Sequence, residues 1–272
     1  IASQYVLANC GYNVRLALCG NHVVMLIPYV EHVFEKSYLN IDGKRYYIYP
    51  NVEDEGSFRS CELPKGAELG KDMGLRFTGK TVIGDEAKPF RYEAAGITLQ
   101  GEVPTGVMPL LDEYPIIDIP TVAASVVDKS LRDDVVKQIR AQVQDLSEQE
   151  AANRILRFIQ KGFPYATDDE QFHREKYFYF EESLYYPKND CEDRAIFYAY
   201  LVHEILGLDV HLIQFTGHEC TAVAFHEPVE NGTSYEYKGK KFYICDPTYI
   251  GAKIGKCMPS YAKESPQIEV WY

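Results

Sequence analysis

The chain has 272 residues, 46% of them hydrophobic and 25% charged, which suits one large globular domain or two of ordinary size. A formal charge of -12 leaves no basic stripe to neutralise phosphates, so a nucleic-acid backbone is excluded as the expected partner and an anionic membrane surface is disfavoured. No apolar run reaches the ~18 residues of a membrane-spanning helix, and the 7 cysteines form neither a CxxC pair nor a spaced framework, against a disulfide scaffold or a zinc ribbon.

Read in order, the chain opens on a repeat. Gly11-Tyr12-Asn13-Val14-Arg15-Leu16 followed by His22 matches Gly207-Leu208-Asp209-Val210-His211-Leu212 followed by His218. Gly43-Lys44 likewise matches Gly239-Lys240, all at an ungapped offset of 196. Over residues 5–50 against 201–246, 11 of 46 positions are identical. Residues 1–50 therefore read as the back part of a degenerate second copy of the unit near the C-terminus. Pro50 stands where that unit has Asp246, and the copy's cysteine position falls upstream of Ile1. Any export signal or lipid anchor would also lie upstream.

Residues 51–125 read as β-rich, with strand-like runs at Leu75–Ile83, Phe90–Tyr92 and Ile97–Val103, and Pro109–Pro120 as a proline-spaced extended connection. The domain boundary is placed between 125 and 126. Ser130 with Asp133 opens a helix, and Ser147 with Glu150 is a capping box for the next, which stops at Gly162-Phe163-Pro164. An aromatic belt, Tyr177–Phe180 with Tyr185 and Tyr186, reads either as the lining of a groove or as core.

The chemistry gathers after that belt. In Asn189-Asp190-Cys191-Glu192-Asp193 the first Asp is an N-cap with Asp193 three residues on, so Cys191 lies in the first turn of a helix that Gly207 ends. The positive end of that helix favours thiolate. His218 opens a strand-like run and shares its parity with Cys220, Ala222 and Ala224, a small-residue face suited to a closely packed helix. His203 lies too far along the helix, His211 reads as solvated, and His226 is the weaker rival. Asp246 closes the next strand before Pro247, with Asp209 and Glu227 as less well placed acids. Gln171 is the candidate oxyanion donor. A zinc site from His218, Cys220, Cys245 and Cys257 fits by residue type, but the spacing matches no common pattern, so no metal or cofactor is expected.

Cysteine at a helix start, then histidine on a strand, then aspartate closing the next strand before Pro-Thr resembles the transglutaminase-like superfamily. With Asp168-Asp169-Glu170-Gln171-Phe172 and Asp190-Cys191-Glu192-Asp193, residues 150–260 look most like its bacterial transglutaminase-like cysteine peptidases. The resemblance implies an α+β, papain-like core at 126–272, preceded by a β-rich region at 1–125. It implies a Cys191-His218-Asp246 triad that hydrolyses a peptide or amide bond of a peptide or protein substrate, in a bacterial envelope, periplasmic or secreted setting. An amine-accepting transglutaminase and an inactive binding or assembly module are the alternatives.

Overall fold

The computed structural model describes residues 1–52, 57–61, 70–79, 81 and 83–270. The chain divides into two compact units, Ile1–Leu75 with Pro115–Asp118, and Arg76–Tyr114 with Ile119–Tyr272. It is a mixed α+β chain whose sheets are antiparallel.

In the first unit a short helix α1 (Ala2–Asn9) precedes β1 (Arg15–Cys19), β2 (His22–Ile27), β3 (Tyr38–Ile41), β4 (Lys44–Tyr49) and β5 (Phe58–Ser60). These strands form a sheet in the order β3-β4-β2-β1-β5. One face closes over Ala17, Cys19, Val24, Leu26, Tyr46 and Ile48. The β3–β4 hairpin turns through Asp42 and Gly43, both at positive φ, which is the backbone that a two-residue hairpin loop demands.

The second unit begins with the hairpin β6 (Ala87–Ala94) and β7 (Ile97–Pro104). Helices follow: α2 (Met108–Asp112), α3 (Ile119–Ala124), α4 (Lys129–Val143), α5 (Glu148–Gly162), α6 (Asp168–Phe172), α7 (Glu182–Tyr185) and α8 (Cys191–Leu206). The chain then forms β8 (Asp209–Phe215), β9 (His218–Ala224), β10 (Ser234–Tyr237), β11 (Lys240–Cys245) and β12 (Gln267–Val270), in the sheet order β10-β11-β9-β8-β12.

The two sheets repeat each other strand for strand, and their registers coincide at the offset of 196. Arg15 opposite Leu26 becomes His211 opposite Ala222, and Leu26 opposite Ile48 becomes Ala222 opposite Ile244. Tyr38 opposite Tyr47 becomes Ser234 opposite Tyr243. Only the last strand of each sheet breaks the offset: Ala17 faces Ser60 in β5, whereas Ile213 faces Ile268 in β12, so the second connection is 12 residues longer.

Helix α8 is the axis of the second unit. Ala195–Val202 are buried all round, as expected of a helix enclosed by neighbours, and it packs on α3, α4, α5 and the strands β8 and β9. Gly207 ends it at φ +69, its N–H donating to the His203 carbonyl.

Several local expectations are corrected. The second long helix has its Ser147–Glu150 capping box, but α4 is capped by Asp128, which accepts from the Leu131 N–H at 3.1 Å, two residues before the expected Ser130. The segment around Pro109–Pro120 is not extended: α2 takes Pro109 into its first turn, where a missing N–H leaves no bond unmade, and α3 takes Pro120 in the same way. Leu75–Ile83 forms no strand among its described residues, only a bridge from Thr78 to Val126, and residues 80 and 82 lie outside the described set. The aromatic belt is largely core, with Phe178, Tyr179 and Phe180 buried.

That belt is fastened by two buried ion pairs. Arg132 Nε and Nη2 donate to the two Glu181 carboxylate oxygens at 2.7 and 3.0 Å, with the guanidinium over Phe180 and Tyr200. Lys176 Nζ meets Glu182 Oε1 at 2.6 Å. Replacing Glu181 by Ala leaves a guanidinium in the core without its carboxylate, and should lower unfolding free energy in urea by about 3–5 kcal/mol. Arg132→Met with Glu181→Leu, which removes both charges, should lose much less, and equal losses would refute the pairing argument.

Candidate active site

The first turn of α8 is held by three residues of its own sequence. Asp190 and Asp193 form a reciprocal capping box, the Asp190 N–H donating to Asp193 Oδ2 at 3.2 Å. Asp193 Oδ1 also accepts the Phe178 N–H at 2.8 Å, and Arg194 Nε donates to Asn189 Oδ1 at 2.8 Å. Cys191 is thereby fixed at the helix start, half-buried, as its sequence context predicts.

On the sheet, His218 is the first residue of β9 and Asp246 follows the last residue of β11. The Cys245–Thr221 pairing brings the two together, and His218 Nε2 lies 2.9 Å from Asp246 Oδ2 with both side chains buried. The other Asp246 oxygen accepts the N–H groups of Thr248 and Tyr249 at 2.8 and 3.1 Å, so the carboxylate is clamped before it meets the imidazole. The Tyr261 ring stacks on the imidazole at 5.1 Å with 8° between planes. The backbone N–H of Glu219, the residue after His218, draws the Cys191 thiol pKa down, and the thiol's S–H donates to Glu192 Oε2 at 3.1 Å. Asp246 occupies Nε2, which leaves Nδ1 as the other imidazole nitrogen.

The rivals lie elsewhere. His203 meets the Leu208 carbonyl, and the exposed His226 pairs with Glu148 at 2.6 Å. Asp209 pairs with Lys240. His211 is not solvated as expected: it is buried, stacked on Phe242 at 3.8 Å and bonded to the Tyr235 hydroxyl at 3.0 Å. The small-residue face of His218 and Cys220 packs against Phe242, Ile244 and Tyr261 rather than against a helix. Helix α8 approaches the opposite face, where Tyr198 meets the Cys245 thiol. Gln171 donates its side-chain amide to the Ala166 carbonyl at 3.5 Å. The phenol of Tyr165, which the sequence did not single out, lies beside Cys191, Asp190 and Glu192, and burial with those neighbours raises its pKa to about 12.

What sequence reasoning missed is the charge around the thiol. Ligand oxygens of Asp168, Asp190 and Glu192 all lie within 4.8 Å of one another, and all three side chains are buried. One oxygen of Asp168, one of Asp190 and both of Glu219 have no hydrogen-bond partner. Burial raises Asp168 to about 7, Glu219 to about 9 and Asp190 to about 12, with the neighbouring carboxylates adding to the shift. The thiol is pushed well above its ordinary value by burial first and Glu192 second, against the Glu219 N–H, which draws it down. The positive end of α8 is thus outweighed. An all-oxygen donor set of this kind can hold a hard divalent cation such as Ca2+, whose charge would offset the carboxylates and favour thiolate.

These shifts set a pH dependence. Each raised carboxyl holds its proton more tightly folded than unfolded, so its share of stability is complete below the unfolded value near ~4. That share is lost as pH rises, through about 7 for Asp168 and about 9 for Glu219. The thermal midpoint in a chelator-containing buffer should fall across this window. Asp168→Asn, which keeps an acceptor for the Lys176 N–H, should flatten the first part of the fall; an unchanged slope would show that Asp168 is not the group titrating.

Compared with protein-family models and with curated protein sequences, the chain matches none.

Proposed function

We propose that this chain is a thiol-dependent acyl-transfer enzyme that hydrolyses a peptide or amide bond, on a papain-like, transglutaminase-type core, with Cys191 as nucleophile, His218 as base and acid, and Asp246 as the group that orients His218. The observation that carries the reading is the buried His218 Nε2–Asp246 contact at 2.9 Å at the end of the strand whose Glu219 backbone N–H draws the Cys191 thiol pKa down.

In this reading Cys191 Sγ attacks the carbonyl carbon while its proton passes to His218 Nδ1, so a C–S bond forms as the carbonyl π pair moves to oxygen. The backbone N–H of Cys191, in the first turn of α8 and outside the helix ladder, is a donor for that oxyanion, and the Tyr165 phenol is a second. His218 returns the proton to the leaving amine as the C–N bond breaks, leaving a thioester. Water then attacks with His218 as base, releasing the acid and restoring the thiol; an amine in place of water gives the transferase alternative. Asp246 holds the proton on Nε2 and stabilises the imidazolium that forms between steps. Asp168, Asp190 and Glu192 are the residues that would hold a hard cation, whose positive charge would then stand beside the nucleophile.

The inactive binding-module reading has an observation of its own, the upward push on the thiol by burial and then by its acidic neighbours. Iodoacetamide alkylation of Cys191 from about pH 5 to about pH 10 separates the two, measured with Ca2+ and with chelator, for the wild type and for His218→Ala. Expected is rapid alkylation in Ca2+ well below the model-thiol value of about 8.5, slower in chelator and lost in His218→Ala. The same variant should lower kcat/KM on a peptide substrate by about 10²- to 10⁴-fold. Alkylation that follows an ordinary thiol in every condition, unmoved by the mutation, would sink the enzyme reading.

A further inference from the structure

We propose that His218, Cys220 and Asp246 form a binding site for a thiophilic divalent metal ion, Zn2+ foremost, and that metal bound there turns the triad off. The site follows from strand parity. His218 and Cys220 are two apart on β9 and face the same way, and the register that pairs Cys245 with Thr221 sets Asp246 beside Cys220 on that face. One ligand atom from each of the three lies within 4.8 Å of the others, and all three side chains are buried.

The donors are one nitrogen, one sulfur and one oxygen, a mixed set that suits zinc rather than the hard cations favoured by the all-oxygen cluster at Asp168, Asp190 and Glu192. A further thiol, Cys257, lies outside that set but close to it. Cys257 packs against the same apolar cluster as Cys220, and the bridge between Cys245 and Lys256 ties its segment to the end of β11. Linear spacing hides the set because its members come from two strands and the connection after them.

The first unit is an internal comparison. Its residues at the three positions, by the offset of 196, are His22, Val24 and Pro50, and Val24 fills the same place in the apolar cluster that Cys220 fills in the second. Packing at that position therefore needs only a small apolar side chain, and a thiol there is surplus to the fold. It occurs in the copy where a carboxylate and a buried imidazole stand beside it.

The chemistry explains the inhibition, which rests on the proposed role of His218. Binding displaces the Cys220 proton to solvent and takes the Nε2 lone pair, so the imidazole keeps its remaining proton on Nδ1. That is the nitrogen left for Cys191, and carrying a proton it can no longer accept one. The metal also replaces the Nε2–H···Oδ2 bond to Asp246.

Co2+, a spectroscopic stand-in for Zn2+, tests the site on the full chain without any substrate. One equivalent should give a thiolate-to-cobalt charge-transfer band, bleached by Zn2+. The band should persist in Cys191→Ser and vanish in Cys220→Val, the side chain the first unit carries, with Cys220→Ser as the second variant should valine disturb folding by circular dichroism. No band in folded wild type, or a band lost in Cys191→Ser and kept in Cys220→Val, would overturn the site. With the site established, one equivalent of Zn2+ should slow Cys191 alkylation at least tenfold in the wild type and leave Cys220→Val unaffected; an unchanged wild-type rate would overturn the switch and leave the metal site standing.

Discussion

The density of buried carboxylate around the first turn of α8 is the constraint that the second unit is built to manage. Asp168, Asp190, Glu192, Asp193 and Glu219 are all buried. Only part of that charge is answered by backbone donors: Lys176 N–H for Asp168, Phe178 N–H and Asp190 N–H for Asp193. Among the buried cations, Lys176 is engaged by Glu182 and Arg132 by Glu181, while Arg194 offsets part of the charge on Asp190 and Asp193. Protonation or a bound cation must neutralise the remainder, since isolated charge is not tolerated in such surroundings. The thiol reports on that balance because it sits within it.

The imidazole is managed differently. Asp246 is clamped by two backbone N–H groups at a strand end, His218 meets its second oxygen, and Tyr261 lies flat against the ring. Each link restricts the next, so the ring is held in one orientation. The thiol and the imidazole therefore come from separate supports, a capped helix and a sheet end, with the Glu219 backbone beside the thiol.

Much of this was legible in the sequence for local reasons. The capping residues around Cys191, the Ser147–Glu150 box and Gly207 act within four residues of one another. The repeat was legible because a shared register conserves turn glycines and strand parity together. Long-range packing was not. Which face of β9 the helix covers, the burial of His211 by Phe242 and the gathering of Asp168 beside Asp190 depend on residues tens of positions apart. The prolines after residue 108 misled because Pro fits the first turn of a helix as readily as an extended segment.

The two sheets share strand order, registers and most of a core, yet one carries a histidine against an aspartate and the other a histidine near a proline. The clearest difference in chain length between them is the connection from the fourth strand to the fifth in sequence, 12 residues longer in the second unit. Tyr261 and Cys257 both lie on that connection, the one roofing His218 and the other reaching the cluster around Cys220. The sheet is thus a neutral chassis, indifferent to whether chemistry is mounted on it, and the longer connection is the fitted part. Swapping connections between the units would move the roof over the imidazole while leaving the shared strand order and registers untouched.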